Sequence, residues 1–144
     1  MGNQSSSIHQ LNFEDIQEAI KNKGKYVVIN TLSSNNQSCL LPNTIDLREE
    51  ESIINKLLST NKEKFIIIYG KNVNDATIYD KYEQLLKLGF LNVYIYPGGM
   101  FEWLCLQDIY SSDLFPTTKK ELDILKYKPP SKLNTYYLTN DSLD

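Results

Sequence analysis

The sequence predicts an α/β domain with a central, mostly parallel sheet of about five strands and helices on both faces. Three observations support this fold class. Short apolar segments alternate with amphipathic segments of roughly ten to twelve residues, as in βαβ units. The segment KFIIIYG, residues 64–70, is apolar without interruption, as expected for a strand buried on both faces. The chain of 144 residues suits one such domain, which we assign to residues 12–128, between tails at 1–11 and 129–144.

The first helix and strand are predicted from local signals. Asn12 and Asp15 resemble a capping box, and the apolar residues after them recur on one helical face. Gly24 supplies the stop for this helix. KYVVINTL, residues 25–32, is expected to form a short buried strand because it is rich in β-branched residues.

The next segment is predicted to supply a further strand and a helix. Residues 39–47 are expected to form a short extended piece that Pro42 interrupts. Residues 49–60 begin with three acidic side chains, which suit the positive end of a helix dipole. Apolar residues at helical spacing follow them, so we expect a second helix here.

The central strand leads into a third helix. Asn74 or Asp75 is predicted to cap this helix, and Gly89 is predicted to end it. The turn between strand and helix therefore spans only a few residues.

The last part of the domain is predicted to hold one strand and two helices. NVYIYPGG, residues 92–99, predicts a strand that closes on a turn, and residues 100–110 predict a helix. Thr118 and Glu121 form a second capping-box pattern, which predicts a final helix over residues 118–127.

Composition and charge exclude several classes of function. The net charge is −3, so the chain lacks the broad basic field with which proteins bind nucleic acids. One histidine, His9, and two cysteines, Cys39 and Cys105, are too few for a structural zinc site or a Ser–His–Asp triad. The sequence contains no apolar run of membrane-spanning length and no secretion signal. We therefore expect a cytoplasmic protein without a metal or a cofactor.

The first residues, MGNQSSS, fit the pattern for N-myristoylation. The pattern requires a glycine after the initiator methionine and a serine or threonine four residues later, which Gly2 and Ser6 supply. A single acyl chain gives only marginal, reversible membrane binding, and neither a basic cluster nor a cysteine adjoins it. We therefore expect acylation of Gly2 and reversible membrane contact, with an unmodified polar tail as the alternative.

The loop after the central strand is the candidate functional site. Ligands of parallel α/β folds bind beyond the carboxyl ends of the strands, where this loop is expected to lie. It contains no cysteine, serine or arginine, the residues that usually hold a nucleophile or a phosphate at such a junction. The candidate residues are Gly70, Lys71, Asn72, Val73, Asn74, Asp75 and Ala76.

The region around this loop resembles the second half of a rhodanese-type sulfurtransferase domain. The resemblance rests most on a block with the pattern Leu, Gly-Phe-x-Asn-Val-Tyr, a Gly-Gly turn and a tryptophan. Upstream, CLLPNTI at residues 39–45 resembles the Pro-Gly segment of that family. The similarity covers about residues 12–110 and implies the three-layer rhodanese fold. The matching positions of the block are Leu85, Gly89, Phe90, Asn92, Val93, Tyr94, Gly98, Gly99 and Trp103.

The sequence departs from the family pattern where the chemistry takes place. The resemblance implies a nucleophilic cysteine at the position of Gly70 and an arginine at the position of Asp75. Without a thiolate no persulfide forms at position 70, and a carboxylate at position 75 repels an anionic substrate. We therefore expect a catalytically inactive rhodanese-like domain that acts as an interaction or regulatory module with a protein partner.

Two alternatives remain open. Cys39 lies in the segment that the resemblance places on the side of the active loop, so a sulfurtransferase or sulfur carrier could use it as a displaced nucleophile. No arginine or histidine flanks Cys39 to lower its pKa, which counts against this alternative. The second alternative is a small-ligand or anion sensor at this loop, in which residues 71–76 present amides and an acid to a polar ligand or a peptide.

Overall fold

The computed structural model describes residues 8–133, and an α/β sandwich accounts for most of them. Over residues 8–131, four α-helices alternate with three strands, and single 3₁₀ turns lie at 34–36, 47–49 and 124–127. Among the described residues, no helix is long and apolar enough to cross a bilayer. In chain order the elements are α1 Phe13–Lys21, β1 Tyr26–Asn30, α2 Glu50–Thr60, β2 Phe65–Tyr69, α3 Thr77–Lys87, β3 Val93–Tyr96 and α4 Gly99–Tyr110.

The three strands form a parallel sheet in the order β1-β2-β3. The described part therefore has three strands where the sequence predicts about five. Two isolated bridges extend the sheet by one residue pair at each edge, Thr44 beside Val28 and Gln10 beside Ile95. The predicted fold class is confirmed. The extended piece predicted at 39–47 contributes only the bridge at Thr44, and residues 9–11, which were predicted to belong to a tail, pair with Ile95 of β3 instead.

The segment 39–47 turns instead of continuing as a strand. Pro42 has no N–H to donate to a neighbouring strand, and Asn43 adopts a φ of 69°, in the left-handed region. A turn closes over them, with Thr44 N–H donating to Leu41 O at 3.3 Å. Pairing with β1 is thereby limited to the bridge at Thr44.

Each face of the sheet packs against its own pair of helices. Side chains alternate along a strand, so Ile66 and Ile68 face α2 and α3 while Ile67 and Tyr69 face α1 and α4. All four side chains are at most 1% exposed, which confirms the expectation for a central strand buried on both faces. We call the two sides the α2/α3 face and the α1/α4 face.

The predicted start of α1 is confirmed in atomic detail. Asn12 Oδ1 accepts hydrogen bonds from the N–H groups of Glu14 and Asp15 at 2.9 and 3.1 Å. Asp15 Oδ2 in turn accepts from Asn12 N–H at 3.0 Å, which completes the capping box. The helix ends at Lys21, and Gly24 beyond it adopts a φ of 96°.

The predicted helix over residues 118–127 is wrong. Thr118 pairs with Leu40 through two hydrogen bonds, N–H to Leu40 O at 2.8 Å and Leu40 N–H to its hydroxyl at 2.9 Å. Glu121 accepts from Asp123 N–H and forms an ion pair with Lys126 at 2.7 Å. Both residues of the expected capping box thus have other partners, and only the 3₁₀ turn Ile124–Tyr127 forms.

Candidate functional site

The loop 70–76 leaves the carboxyl end of the central strand β2, as the sequence predicts. Thr31, the residue after β1, lies beside it because Thr31 N–H donates to Tyr69 O at 2.9 Å. The first turn of α4 closes the other side. Gly70 O accepts from Met100 N–H at 3.0 Å and Lys71 O accepts from Phe101 N–H at 2.9 Å. The loop is therefore held between the carboxyl end of β1 and the amino end of α4.

Gly99 allows this close approach of α4 to the loop. Its φ is 64°, and a Cβ at this position would stand 2.6 Å from Gly70 O and 2.8 Å from the carbonyl carbon of Lys71. Only glycine combines the left-handed backbone with the absence of a side chain. The glycine of the predicted Gly-Gly turn thus sets the geometry of the candidate site.

Gly70 is buried and has no room for a side chain. A Cβ built on it would collide with the Asp75 carboxylate, stand 2.7 Å from Thr31 Oγ1 and stand 3.0 Å from Ile78 Cγ2. Contacts under about 3.0 Å require a neighbour to move. The position that the sequence singled out is therefore filled by its neighbours.

The Asp75 carboxylate binds the backbone on both sides of the loop. Its Oδ2 accepts from Lys71 N–H at 2.9 Å, and its Oδ1 accepts from Thr77 N–H at 3.0 Å. The Thr77 hydroxyl lies 2.5 Å from Asp75 Oδ1 and 2.8 Å from the Thr31 hydroxyl. Asp75 precedes the N-cap Ala76 by one residue, so the predicted cap is displaced, yet its carboxylate still satisfies the first N–H of α3.

Asn72 holds the remaining part of the loop. Its side chain is buried, its amide nitrogen donates to Tyr127 O at 2.8 Å, and its Oδ1 accepts from Asn74 N–H at 2.9 Å. The Asn72 carbonyl accepts from Asp75 N–H at 3.1 Å. The N–H groups of residues 71, 74, 75 and 77 are thus all bonded within the chain, which leaves those amides unavailable to an anion.

The exposed part of the loop is small and mixed in character. Val73 is 60% exposed, Asn74 and Ala76 are exposed, and Lys71 is partly exposed. An open cavity of about 420 Å³ adjoins the loop at Thr31 and Thr77. The Glu50–Lys81 ion pair, at 2.6 Å, also lines this cavity. The groups accessible around this cavity are mainly polar and include both a positive and a negative charge.

Cys39 lies in the core rather than in an open site. It is 2% exposed, and burial is the largest of the effects that raise the pKa of its thiol. A hydrogen bond with Thr117 and the charge of Lys126 act in the opposite direction, while Glu121 adds to the increase. These neighbours belong to the segment 117–126 and not to the loop 70–76.

Sequence reasoning missed Thr31, Thr77 and Tyr127 as partners of the loop. The two threonines could have been identified from the sequence, because Thr31 follows β1 and Thr77 begins α3 at the same edge of the sheet. Tyr127 had none, because its contact with Asn72 joins residues far apart in the chain.

Several sequence predictions lie outside the described residues. The acylation motif at Gly2 is one of them, and the tail from residue 134 onward is another. Within residues 8–133, no three His, Cys, Asp or Glu side chains converge in an arrangement that could hold a metal ion.

Comparisons with known proteins agree on the fold. The sequence model of the rhodanese-like domain matches residues 14–105. The rhodanese-like domain of the Alr3790 protein from Anabaena is 16% identical, with 88% of each chain covered and a TM-score of 0.55. The homodimeric polysulfide-sulfur transferase from Wolinella succinogenes is 15% identical, with 81% of this chain and 82% of that chain covered and a TM-score of 0.53.

A third structure, an uncharacterized protein from Saccharomyces cerevisiae, is 18% identical and has a TM-score of 0.54. The alignment covers 69% of this chain and 93% of the yeast chain. A comparison with curated protein sequences gives no significant match. At these identities the structural likeness concerns the fold alone.

Proposed function

This chain belongs to the rhodanese-like domain family, and from that premise we propose that it is a catalytically inactive member that serves as a protein-interaction or regulatory module. The observation that carries the proposal is the Asp75 carboxylate, which fills the space beside Gly70 and binds the amides around it.

The first support is the absence of a thiol at the end of β2. In sulfur transfer of the rhodanese type a thiolate attacks the sulfane sulfur of thiosulfate, sulfite leaves, and a persulfide remains on the protein. Cyanide then takes that sulfur and departs as thiocyanate, which regenerates the thiolate. Gly70 occupies the nucleophile position that the family resemblance assigns, and hydrogen cannot perform this attack.

The second support is electrostatic. A loop that stabilises an anionic sulfur needs unpaired N–H groups and a nearby cation. Here an internal anion, the carboxylate of Asp75, already accepts from Lys71 N–H and Thr77 N–H. A substrate anion about 4 Å away would be repelled by roughly 1–4 kcal/mol for effective dielectric constants between 80 and 20.

An interaction role is supported by the open surface at the same sheet edge. A cavity of about 610 Å³ lies between the loop after β1 and the segment 40–48. Its lining combines apolar Leu40 and Leu47 with the ion pair of Arg48 and Asp46, whose N···O distance is 2.9 Å. Hydrogen bonds from Arg48 lower the pKa of Asp46 to about 2, so this carboxylate stays charged. Such a mixture of apolar and charged groups suits a protein partner.

Sulfur transfer through Cys39 is the alternative function. It needs an accessible thiolate, whereas the Cys39 thiol is buried and has a raised pKa. Movement of the segment 117–126 would have to precede any reaction. These observations favour the inactive module over the carrier.

Membrane contact through an acylated Gly2 is a separate part of the proposal, supported by the sequence pattern alone. Intact mass of the chain made in a eukaryotic cell should show loss of Met1 and a myristoyl group. Gly2→Ala should abolish the modification. An unmodified Gly2 in that cell would contradict this part without affecting the rest.

A turnover assay with thiosulfate and cyanide tests the proposed inactivity. We expect thiocyanate formation by the full chain to equal that of a Cys39→Ser variant and of buffer. Sustained turnover that Cys39→Ser abolishes would replace the proposal with the alternative.

A further inference from the structure

A row of aromatic rings crosses the amino edge of the sheet, opposite the loop 70–76. Tyr26 begins β1, Phe65 begins β2, and Tyr94 is the second residue of β3. Tyr26 pairs with Phe65, and Tyr94 pairs with Ile67, which lies two residues after Phe65 on the same face. The three side chains therefore share the α1/α4 face. The ring centroids are 5.7 Å apart between Tyr26 and Phe65 and 6.1 Å apart between Phe65 and Tyr94.

A small cavity lies against these rings. Its volume is about 200 Å³, and besides the three rings it is lined by Leu11, Ile67 and the α1 residues Asp15 and Glu18. Pockets for drug-sized ligands measure roughly 300–1,000 Å³, so this cavity suits a smaller group. Aromatic walls with acidic groups at the rim are the surroundings that a compact organic cation requires.

We propose that this aromatic cavity binds a methylated ammonium group. The faces of aromatic rings carry negative potential and attract cations within about 6 Å of the ring centroid. Asp15 and Glu18 add negative charge at the rim of the cavity, where their carboxylates also accept hydrogen bonds from Asn12 N–H at 3.0 Å and from the Asn22 side-chain amide at 2.8 Å. No step of the proposed loop function depends on this site, which lies at the other end of the strands.

The chain itself shows that these rings accept an ammonium. The Lys25 Nζ lies 5.6 Å from the centroid of Tyr26 and 5.7 Å from that of Phe65. Lys25 is exposed and does not line the cavity. Its position therefore illustrates the attraction of an ammonium to these rings and leaves the cavity itself open.

Methylation of the ligand nitrogen is part of the inference. A primary ammonium is strongly hydrated and loses that hydration on entering an apolar cavity. Methyl groups reduce this hydration and add apolar area that Leu11 and Ile67 can cover. A neutral molecule of the same shape keeps the apolar contacts and lacks the attraction to the rings and carboxylates.

NMR titration of the full chain with choline tests the proposal. We expect saturable shifts of the backbone amides of Leu11, Glu18, Phe65 and Tyr94, with a dissociation constant on the order of 10 mM or tighter. The neutral analogue 3,3-dimethylbutan-1-ol should bind about ten-fold more weakly, because it is choline without the charge. N-acetyl-trimethyllysine amide, titrated in parallel, shows whether a free metabolite or a modified side chain fits better. Equal binding of the charged and neutral compounds, or no saturable shift, would overturn the proposal.

Matched variants locate the site. Tyr94→Leu should weaken choline binding about five-fold, whereas Tyr110→Leu, which removes an exposed tyrosine elsewhere, should leave it unchanged. Glu18→Gln should weaken it about two-fold to three-fold, and Glu14→Gln on the same helix should not. Glu14 and Glu18 are exposed, so their variants are expected to fold even if Tyr94→Leu does not, and the comparison between them still tests the site. Equal effects of Glu18→Gln and Glu14→Gln would contradict the assignment.

Discussion

The Asp75 carboxylate occupies the space that a side chain at position 70 would fill, since a Cβ on Gly70 would collide with Asp75 Oδ2. The same oxygen accepts from Lys71 N–H at 2.9 Å. Gly70 and Asp75 therefore depend on each other: the glycine leaves room for the carboxylate, and the carboxylate closes the loop around the glycine.

Gly70→Cys alone should lower the free energy of unfolding and should not produce thiocyanate from thiosulfate and cyanide. The new side chain meets Thr31, Asp75 and Ile78, and overpacking of this kind costs typically about 1–3 kcal/mol. Ala76→Cys places a thiol at an exposed position of the same loop and should change the free energy of unfolding by less than about 0.5 kcal/mol. Urea denaturation of both variants measures the difference. Equal stability of Gly70→Cys and the parent chain would contradict the packing argument.

The effects of Gly70→Ala and Asp75→Ala should not add. Asp75→Ala alone removes an acceptor for Lys71 N–H and Thr77 N–H and should cost about 1–3 kcal/mol. It also removes the group that collides with a new Cβ, so Gly70→Ala should cost at least about 0.5 kcal/mol less in the Asp75→Ala background. A double-mutant cycle from urea denaturation measures this coupling. Additive free energies would show that the carboxylate does not fill the space at position 70.

Two buried tyrosines should respond oppositely to loss of the hydroxyl. Tyr69 accepts from Leu41 N–H at 3.1 Å and lies 2.8 Å from the Thr44 hydroxyl, so Tyr69→Phe should cost about 1–3 kcal/mol. The buried Tyr127 hydroxyl has no hydrogen-bond partner among the described residues, and the Lys126 ammonium lies 5.2 Å from the centroid of its ring. Tyr127→Phe should therefore be neutral or stabilising by up to about 1 kcal/mol. Thermal unfolding of the two variants checks the contrast, and destabilisation by Tyr127→Phe would refute it.

Cys39 should react slowly with alkylating reagents. Burial raises the pKa of its thiol above the ordinary value, so the reactive thiolate is scarce at neutral pH and its fraction grows only as the pH rises past that value. In native protein at pH 8, iodoacetamide should label Cys39 at least about ten-fold more slowly than the partly exposed Cys105. Peptide mass spectrometry follows both sites, with denatured protein as the control for equal labelling. Rapid labelling of Cys39 that stops rising below pH 8 would indicate an activated thiol instead.

The parts of the fold that sequence reasoning predicted are those set by local chemistry. The capping box of Asn12 and Asp15 joins residues three apart, and the continuous apolar run of β2 reports burial on both faces directly. The loop position followed from the rule that ligands bind at the carboxyl edge of a parallel sheet. These signals need no knowledge of distant partners.

The errors arose where distant contacts replaced local ones. Thr118 has the sequence of a helix cap, yet its bonds with Leu40 draw it into an extended connection. The role of Asp75 was only partly predictable, because its hydrogen bond to Thr77 is local, whereas the collision with a side chain at position 70 depends on how the loop closes. The contact of Asn72 with Tyr127 could not be found from spacing at all.

Intact-mass spectrometry after exposure to a sulfane-sulfur donor is the sharpest test of the proposed inactivity, because it detects the protein-bound intermediate whether or not turnover follows. We expect that the full chain gains no sulfur atom at pH 8 and that its mass shows the same absence of added sulfur as a Cys39→Ser variant treated in the same way. A gain of one sulfur atom that maps to Cys39 and disappears on adding cyanide would contradict it, since the chain would then carry transferable sulfur without a thiol at position 70.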